Sequence, residues 1–224
     1  MKPATPRRSE ALSKIRIVEA AIGILDAENS GAGELTLRSV MTQLSTGSGA
    51  IYHHVANMDE LRAAAADEVL RGALADIPSD LDADEALRLV GLGIFDSIGA
   101  HPWVGAQLTR KPFQPAVVLI WKTIGLQLRR LGLGGPAAMS AGSTLANFIL
   151  GAAAQYAAGP ARVADGKDRD AFLKDLGEAW SAVDDDAVVL EIASELGAHD
   201  DRQQFMDGID IILRGMKALP RQTQ

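Results

Sequence analysis

The 224 residues contain no cysteine, which excludes a disulfide framework, a thiolate zinc site and a cysteine nucleophile. The first residues, MKPATPRRSEALSK, are basic and lack the apolar run of a secretory signal, so no export is expected and the cytoplasm is the expected location. No alternating strand pattern and no repeat of fixed period occurs. A phosphate loop, a nucleophile elbow and a GxGxxG following a strand are all missing. His101 and His199 stand alone without ligand spacing, and the neighbours His53 and His54 would point about 100° apart on a helix, too far to share an ion. Asp184, Asp185 and Asp186 read as a helix start or a solvated turn. The expectation is therefore no catalytic residues, no metal, no cofactor and no enzyme.

What is present is ordinary for a soluble globular chain with a core of useful size: 47% hydrophobic and 23% charged residues. The net charge of -7 argues against a nucleic-acid partner only until its distribution is considered. Residues 1–58 hold six Lys/Arg against five Asp/Glu, and the remainder holds sixteen against twenty-four. Lys2, Arg7, Arg8, Lys14 and Arg16 are opposed at the start only by Glu10. This cluster reads equally as a solvated tail or as an arm for phosphates.

Helical periodicity recurs along the chain. Ile15, Val18, Ile22 and Leu25 form one stripe, and Leu37, Val40, Met41 and Leu44 another. Asn57 can cap a helix with Glu60 as its reciprocal partner, opening an Ala-rich helix over 61–74. The acidic, Pro-containing break at 78–84 is the expected domain junction, with domains 1–76 and 77–224. Beyond it, Leu87, Val90, Ile94 and Ile98 share a stripe that ends before His101-Pro102. Helices are expected over 103–108, 116–131, 137–158 and 205–219, with one or two in the acidic stretch 165–198. Residues 131–161 carry no charge, but Ser140, Ser143, Thr144, Asn147 and Gln155 interrupt an Ala- and Gly-rich composition, so no membrane span is expected. A helix apolar nearly all round belongs in a core or between subunits, and Gly142, Ala146 and Gly151 would let a second helix come close.

Residues 35–55, LTLRSVMTQLSTGSGAIYHHV, break a clean helical pattern and resume it at once. A helix over 36–44, a turn at Ser45-Thr46 and a short helix over 47–55 make a helix-turn-helix, with Thr36 and Thr46 each able to cap one helix. Leu25, Val40, Leu44, Ile51 and Val55 would form its small core. Gly47 and Gly49 each cost roughly 1 kcal/mol in a helix interior relative to alanine. In a first turn that cost is smaller, and bare glycine lets backbone N–H groups approach a phosphate or a base edge. Ser48, Ala50, Tyr52 and His53 would face outward. Tyr52 offers a hydroxyl for phosphate and a ring for thymine methyls, and His53 a hydrogen bond to phosphate or base. Tyr52 as a plain surface tyrosine and the His53-His54 pair as casual polar residues are the structural alternatives.

The stretch LTLRSVMTQLSTGSGAIYHHVANMDEL resembles the DNA-binding core of TetR-type transcriptional repressors, with Thr36, Leu44, Ile51, Tyr52, His54, Val55, Asn57 and Leu61 matching. Ser45-Thr46 replace the usual Gly-Val, Met41 a common alanine, and Met58 the usual phosphate-binding lysine. The resemblance covers residues 14–70, and His101-Pro102-Trp103, 113–157 and QFMDGIDIILRGMKAL are more distantly similar to the ligand-binding, dimerising domain of the subgroup that includes the tetracycline repressors. Gln107 falls near the magnesium-binding histidine of that subgroup, so tetracycline is not the expected ligand.

The resemblance implies an all-α fold: an N-terminal three-helix helix-turn-helix domain followed by a larger helical ligand-binding and dimerisation domain. It implies a homodimer paired through residues 137–158 and 203–218, and double-stranded DNA as partner. Its two reading heads would enter major grooves about 34 Å apart on a palindromic operator. The implied DNA-binding residues are Thr36, Arg38, Gly47, Ser48, Gly49, Ala50, Tyr52, His53 and His54. A small apolar or aromatic effector, unidentified, would release the DNA. Ile94, Ile98, Leu108, Phe113 and Phe148 could line its site or simply pack the core, and Trp103, Gln107, Trp121 and Asn147 are the expected liners. The expected function is thus a ligand-responsive repressor. The alternative is a helical small-molecule-binding or interaction protein whose DNA-binding motif has degenerated.

Overall fold

The computed structural model describes residues 12–29, 34–75, 77–110, 113–157, 169–196 and 200–219, and all regular structure among them is helical. The fold is all-α, a helix-turn-helix followed by a larger helical part. The chain divides into two compact units, Met1–Val69 and Leu70–Gln224.

The first unit contains α1 (Lys14–Asn29), α2 (Leu37–Leu44), α3 (Ser48–Tyr52) and the start of α4 (Met58–Ala75). Ile17, Leu25, Val40, Ile51 and Leu61 are fully buried and Val55 nearly so. Burial of each such side chain contributes about 1.5–3 kcal/mol, enough for a small trihelical head. Leu44 is only half-buried. The expected stripe of α1 is met in part: Val18 and Leu25 are buried and Ile22 half-buried, but Ile15 is 68% exposed, and Ile17, Ala20, Ala21 and Ile24 complete the inward face. Alanines at 20 and 21 carry part of that face, and a pattern read from large apolar residues passes over them.

The second unit comprises the end of α4, then α5 (Ala83–Ala100), α6 (Pro102–Arg110), α7 (Pro115–Arg130), α8 (Gly135–Ala157), α9 (Arg169–Val183), α10 (Ala187–Glu195) and α11 (Asp201–Lys217). The break at 78–84 separates α4 from α5, but the division between units falls earlier, inside α4. Helix α5 is central and packs against α6, α7, α8 and α11, and Leu87, Val90, Ile94 and Ile98 are fully buried. A methyl group at Gly91 would displace the tip of the Ile209 side chain of α11, which packs against the bare backbone there. Three ion pairs fix the antiparallel register of α5 and α11: Asp84 with Lys217, Arg88 with Asp210 at 2.7 Å, and Asp96 with Arg202 at 3.0 Å. Hydrogen bonds donated to Asp210 and Glu85 raise the pKa of Arg88, and those donated to Asp96 do the same for Arg202.

Helix α7 ends at Gly132, whose φ of 78° lies in the left-handed region that suits glycine. Helix α8 is long and apolar enough to cross a membrane by length and composition. It is not buried all round. Ala141, Leu145, Ala146, Ile149 and Ala153 face the core, whereas Ser140, Thr144, Asn147 and Gly151 are exposed. Gly142 meets Trp121 and Leu128 of α7, and the side of Gly151 is open. Helices α9 and α10 pack on each other. Asp186 caps α10 by accepting from the Val188 N–H at 2.8 Å, which makes the aspartate run a helix start.

Candidate nucleic-acid interface

Helix α2 begins with a reciprocal cap. The Thr36 hydroxyl accepts from the Ser39 N–H at 3.1 Å, and the Ser39 hydroxyl accepts from the Thr36 N–H at 2.9 Å. Thr36 thus stands where expected, with its hydroxyl engaged in positioning α2 rather than free. Ser39 was not expected as its partner, although a serine three residues after a threonine cap is a readable signal. Arg38, on the next position of the same turn, is exposed.

At the far end of α2, Ser45 takes φ 49° and ψ 48°, a left-handed conformation that glycine adopts at little cost. The N–H of Thr46 then reaches back to the Met41 carbonyl at 3.1 Å, closing the helix and turning the chain toward α3. Ser45 therefore performs the turn that the glycine of the resemblance would make. Thr46 does not cap α3. Gly47 is the N-cap, with φ -93° and no side-chain cap bond. Helix α3 is shorter than expected and ends at Tyr52, but the Val55 N–H still bonds to the Ile51 carbonyl at 3.2 Å, so helical hydrogen bonding continues to the expected end.

Ile51 faces the core and everything else on α3 faces out: Ser48, Gly49, Ala50 and Tyr52 are exposed, as are Gly47 before it and His53 after it. A Cβ added at Gly47 or Gly49 would meet nothing within 4 Å, and neither residue has positive φ. The fold itself therefore makes no demand for glycine at either position. His54 is half-buried, its ring edge-to-face with His53 at a centroid distance of 5.2 Å. Lys2, Arg7 and Arg8 lie outside the described residues.

The start of α4 holds the end of this segment. The Glu60 N–H donates to Asn57 Oδ1 at 2.8 Å, as the capping pattern predicts, but the Glu60 carboxylate returns to the Ala56 N–H at 2.7 Å rather than to that of Asn57. Its other oxygen accepts from Lys14 Nζ of α1 at 3.1 Å. The Ala56 N–H and the Lys14 ammonium hold the Glu60 carboxyl below its ordinary pKa. Lys14 is thereby engaged by the protein. Met58 is half-buried.

The four expected effector-lining residues do not share one environment. Trp103 and Gln107, one turn apart on α6, are buried. The Gln107 Nε2 donates to Gln114 Oε1 at 3.0 Å, and Gln114 Nε2 donates to the backbone carbonyl of Gln107 at 2.8 Å. Gln114, unforeseen in the sequence, is thus half of a buried amide pair, its position marked only by the proline that follows it. Trp121 is 38% exposed, and Asn147 lies on the exposed side of α8. Phe113 is 97% exposed because it sits in the turn ahead of α7 rather than on a helix face. Phe148 instead ends a column of stacked rings, Phe148 on Phe205, Phe205 on Phe95 and Phe95 on Tyr156, with centroids 5.5, 4.3 and 4.9 Å apart. A recess of about 470 Å³ at the start of α5 is lined by Asp82, Asp84, Glu85, Arg88 and Arg130. Its charged walls suit no apolar ligand.

Known proteins with this arrangement are transcriptional regulators. The chain is 38% identical to SCO7222, a TetR from Streptomyces coelicolor, covering 94% of this chain and 100% of that one with a TM-score of 0.83. It is 25% identical to the TetR family protein ActR of Streptomyces coelicolor, solved in complex with actinorhodin, covering 93% of this chain and 97% of that one with a TM-score of 0.75. The HTH-type transcriptional repressor DrrR1 of Streptomyces coeruleorubidus is 30% identical over 145 residues, 62% of this chain and 51% of that protein. The chain thus matches about half the length of that curated relative. No family model matches the chain.

Proposed function

Since the chain belongs to the TetR family of transcriptional regulators, we propose that it is a ligand-responsive repressor that binds a palindromic operator as a homodimer and is released by a small apolar or aromatic effector. The observation that carries the reading is the outer surface of α3. Two glycines stand there with open space beside them and no internal reason to be glycine. Bare backbone at the start of a helix suits close approach to a phosphate or base edge. Around it, Arg38, Ser48, Tyr52 and His53 supply donors, and Ala50 and the Tyr52 ring supply apolar contact for thymine methyls. Thr36 and His54 serve by fixing the ends of the motif. The first compact unit, Met1–Val69, acts as the reading head and the second, Leu70–Gln224, as the effector-binding and pairing part.

Pairing of the chain is supported by the exposed row of small and polar residues on α8 and by Ile211 of α11, which is 66% exposed. The effector site is best supported at the buried Trp103 and Gln107, with Trp121 and Asn147 at its outer edge. A coupling of about 1–3 kcal/mol between effector and operator would weaken DNA binding roughly 5- to 150-fold. ActR, solved with actinorhodin bound, supports a small-molecule effector.

The test is binding to duplex DNA across a salt series, followed by selection of bound fragments from a random duplex pool. A palindromic consensus and an affinity that falls steeply with salt are expected. Arg38→Ala should weaken binding to all sequences and lower the salt slope by about one, and Tyr52→Ala should weaken binding to the selected operator. Absence of any palindromic preference, with both variants binding as the parent does, would refute the reading.

A further inference from the structure

Two exposed faces of the second unit carry opposite charge on matching helical patterns. On α10, Val188, Glu191, Ile192 and Glu195 follow i, i+3, i+4, i+7 and lie on one side. All four are exposed, Val188 by 62% and Ile192 by 49%. The hairpin that bears them, residues 169–196, holds eight Asp/Glu against two Lys/Arg. On α7, Val118, Lys122, Leu126 and Arg129 follow i, i+4, i+8, i+11 and also share one side. These are exposed as well, Val118 by 61% and Leu126 by 50%. No Asp or Glu occurs anywhere between Asp96 and Asp165. The side chains of Lys122 and Arg129 have no ion-pair or hydrogen-bond partner among the described residues.

Among the described residues both faces stay uncovered, and neither face covers the other within one chain. Each presents an apolar row flanked by charge, and each is what the other lacks. We propose that the α10 face of one copy docks on the α7 face of a second copy, Val188 and Ile192 against Val118 and Leu126, with Glu191 and Glu195 facing Lys122 and Arg129. A two-fold axis would make this contact twice. The apolar rows supply affinity, and the charges select the partner face and oppose pairing of like faces. The contact rests on the reading that the chain pairs with itself, and adds to pairing through α8 and α11.

The absence of cysteine makes the test clean, because any introduced thiol is unique. Full-length chains carrying Ile192→Cys under one affinity tag are mixed with full-length chains carrying Leu126→Cys under another, and mildly oxidised. Mixed disulfide dimers are expected at low salt, well above those formed with a Glu19→Cys control chain, and fewer as ionic strength approaches 1 M, where screening shortens to about 3 Å. Adding Lys122→Glu and Arg129→Glu to the second chain should abolish them, and adding Glu191→Lys and Glu195→Lys to the first should restore them. Mixed disulfides no more frequent than in the control, or insensitive to charge reversal, overturn the contact. So does a chain bearing both thiols that closes only on itself. Sedimentation of the unmodified protein separates the two readings: a paired mass without mixed disulfides removes only this contact, whereas a single-subunit mass removes self-pairing as well.

Discussion

Replacing Gly49 by alanine sets stability against binding. Gly49 is the second residue of α3, its φ is not positive, and an added methyl group would meet nothing within 4 Å. The folded state therefore accepts alanine without strain. The unfolded chain loses freedom, and the gain in stability should be about 0.4–1 kcal/mol. For a chain of this length that raises the midpoint of thermal unfolding by about 1–4 °C. If the glycine served only the fold, the substitution would improve the protein or leave it unchanged in every assay. If the backbone there sits against DNA, the methyl group pushes it away and costs about 1–3 kcal/mol of operator affinity, roughly 5- to 150-fold. Calorimetry and fluorescence anisotropy on the selected operator measure the two effects on the same sample. A variant that is more stable and binds as tightly as the parent would refute the argument that α3 presents its glycines to DNA.

Ser45→Gly should stabilise the protein by about 0.5–1 kcal/mol in denaturant titration, because relief of the left-handed backbone exceeds the extra freedom of glycine in the unfolded chain. Glu60 has a lowered pKa in the folded state, so its stabilising contribution is complete above its ordinary value of 4.5 and fades as pH falls through the lower folded value. The stability difference between the parent and Glu60→Gln should accordingly shrink in acid titrations below that pH, and a difference that stays constant would remove the Lys14–Glu60–Ala56 link from the account. Leu25→Ala should cost about 2–5 kcal/mol, since the side chain is fully buried. Ile211→Glu, at a 66% exposed position, should alter stability of the separate subunit by no more than about 0.5 kcal/mol yet shift sedimentation toward the single-subunit mass.

Element type was readable wherever one wide apolar stripe meets several neighbours. Leu87, Val90, Ile94 and Ile98 announce α5 because that helix has partners around it, and a broad buried face tolerates error in phase. On α1 the same reading finds Val18 and Leu25 but wrongly includes Ile15 and misses Ile17 and Ile24. There the contact is narrow and two of the inward residues are alanines, which weigh little in any apolar pattern. The break at Pro78 was visible as the end of a helix, but a proline marks where hydrogen bonding stops, not where packing partners change. Val69 and Leu70 are adjacent residues of one continuous helix, and the division between units falls there. Only long-range contacts reveal it.

The proposed reading surface was legible for a different reason. Residues 45–55 lie next to one another in sequence and in space, so local rules about caps, glycine and periodicity decide which side chains face out. Even there, one detail depended on backbone geometry: Ser45, not a glycine, carries the turn, which moves the cap of α3 from Thr46 to Gly47. The proposed effector site enjoys no such economy. Gln107 looked like a lone polar hook, and its partner Gln114 comes from the next helix across a turn. Trp121 looked like an inward aromatic, yet it lies over Gly142, where α8 leaves room for a ring at the surface. The Gln107 side chain donates to Gln114, so a ligand that takes over the Gln107 Nε2 must offer Gln114 Oε1 a hydrogen bond as good as the one it breaks, because an unpaired buried amide costs about 1–3 kcal/mol. An effector with a hydrogen-bonding edge beside an apolar body meets that condition, and a purely hydrocarbon ligand does not.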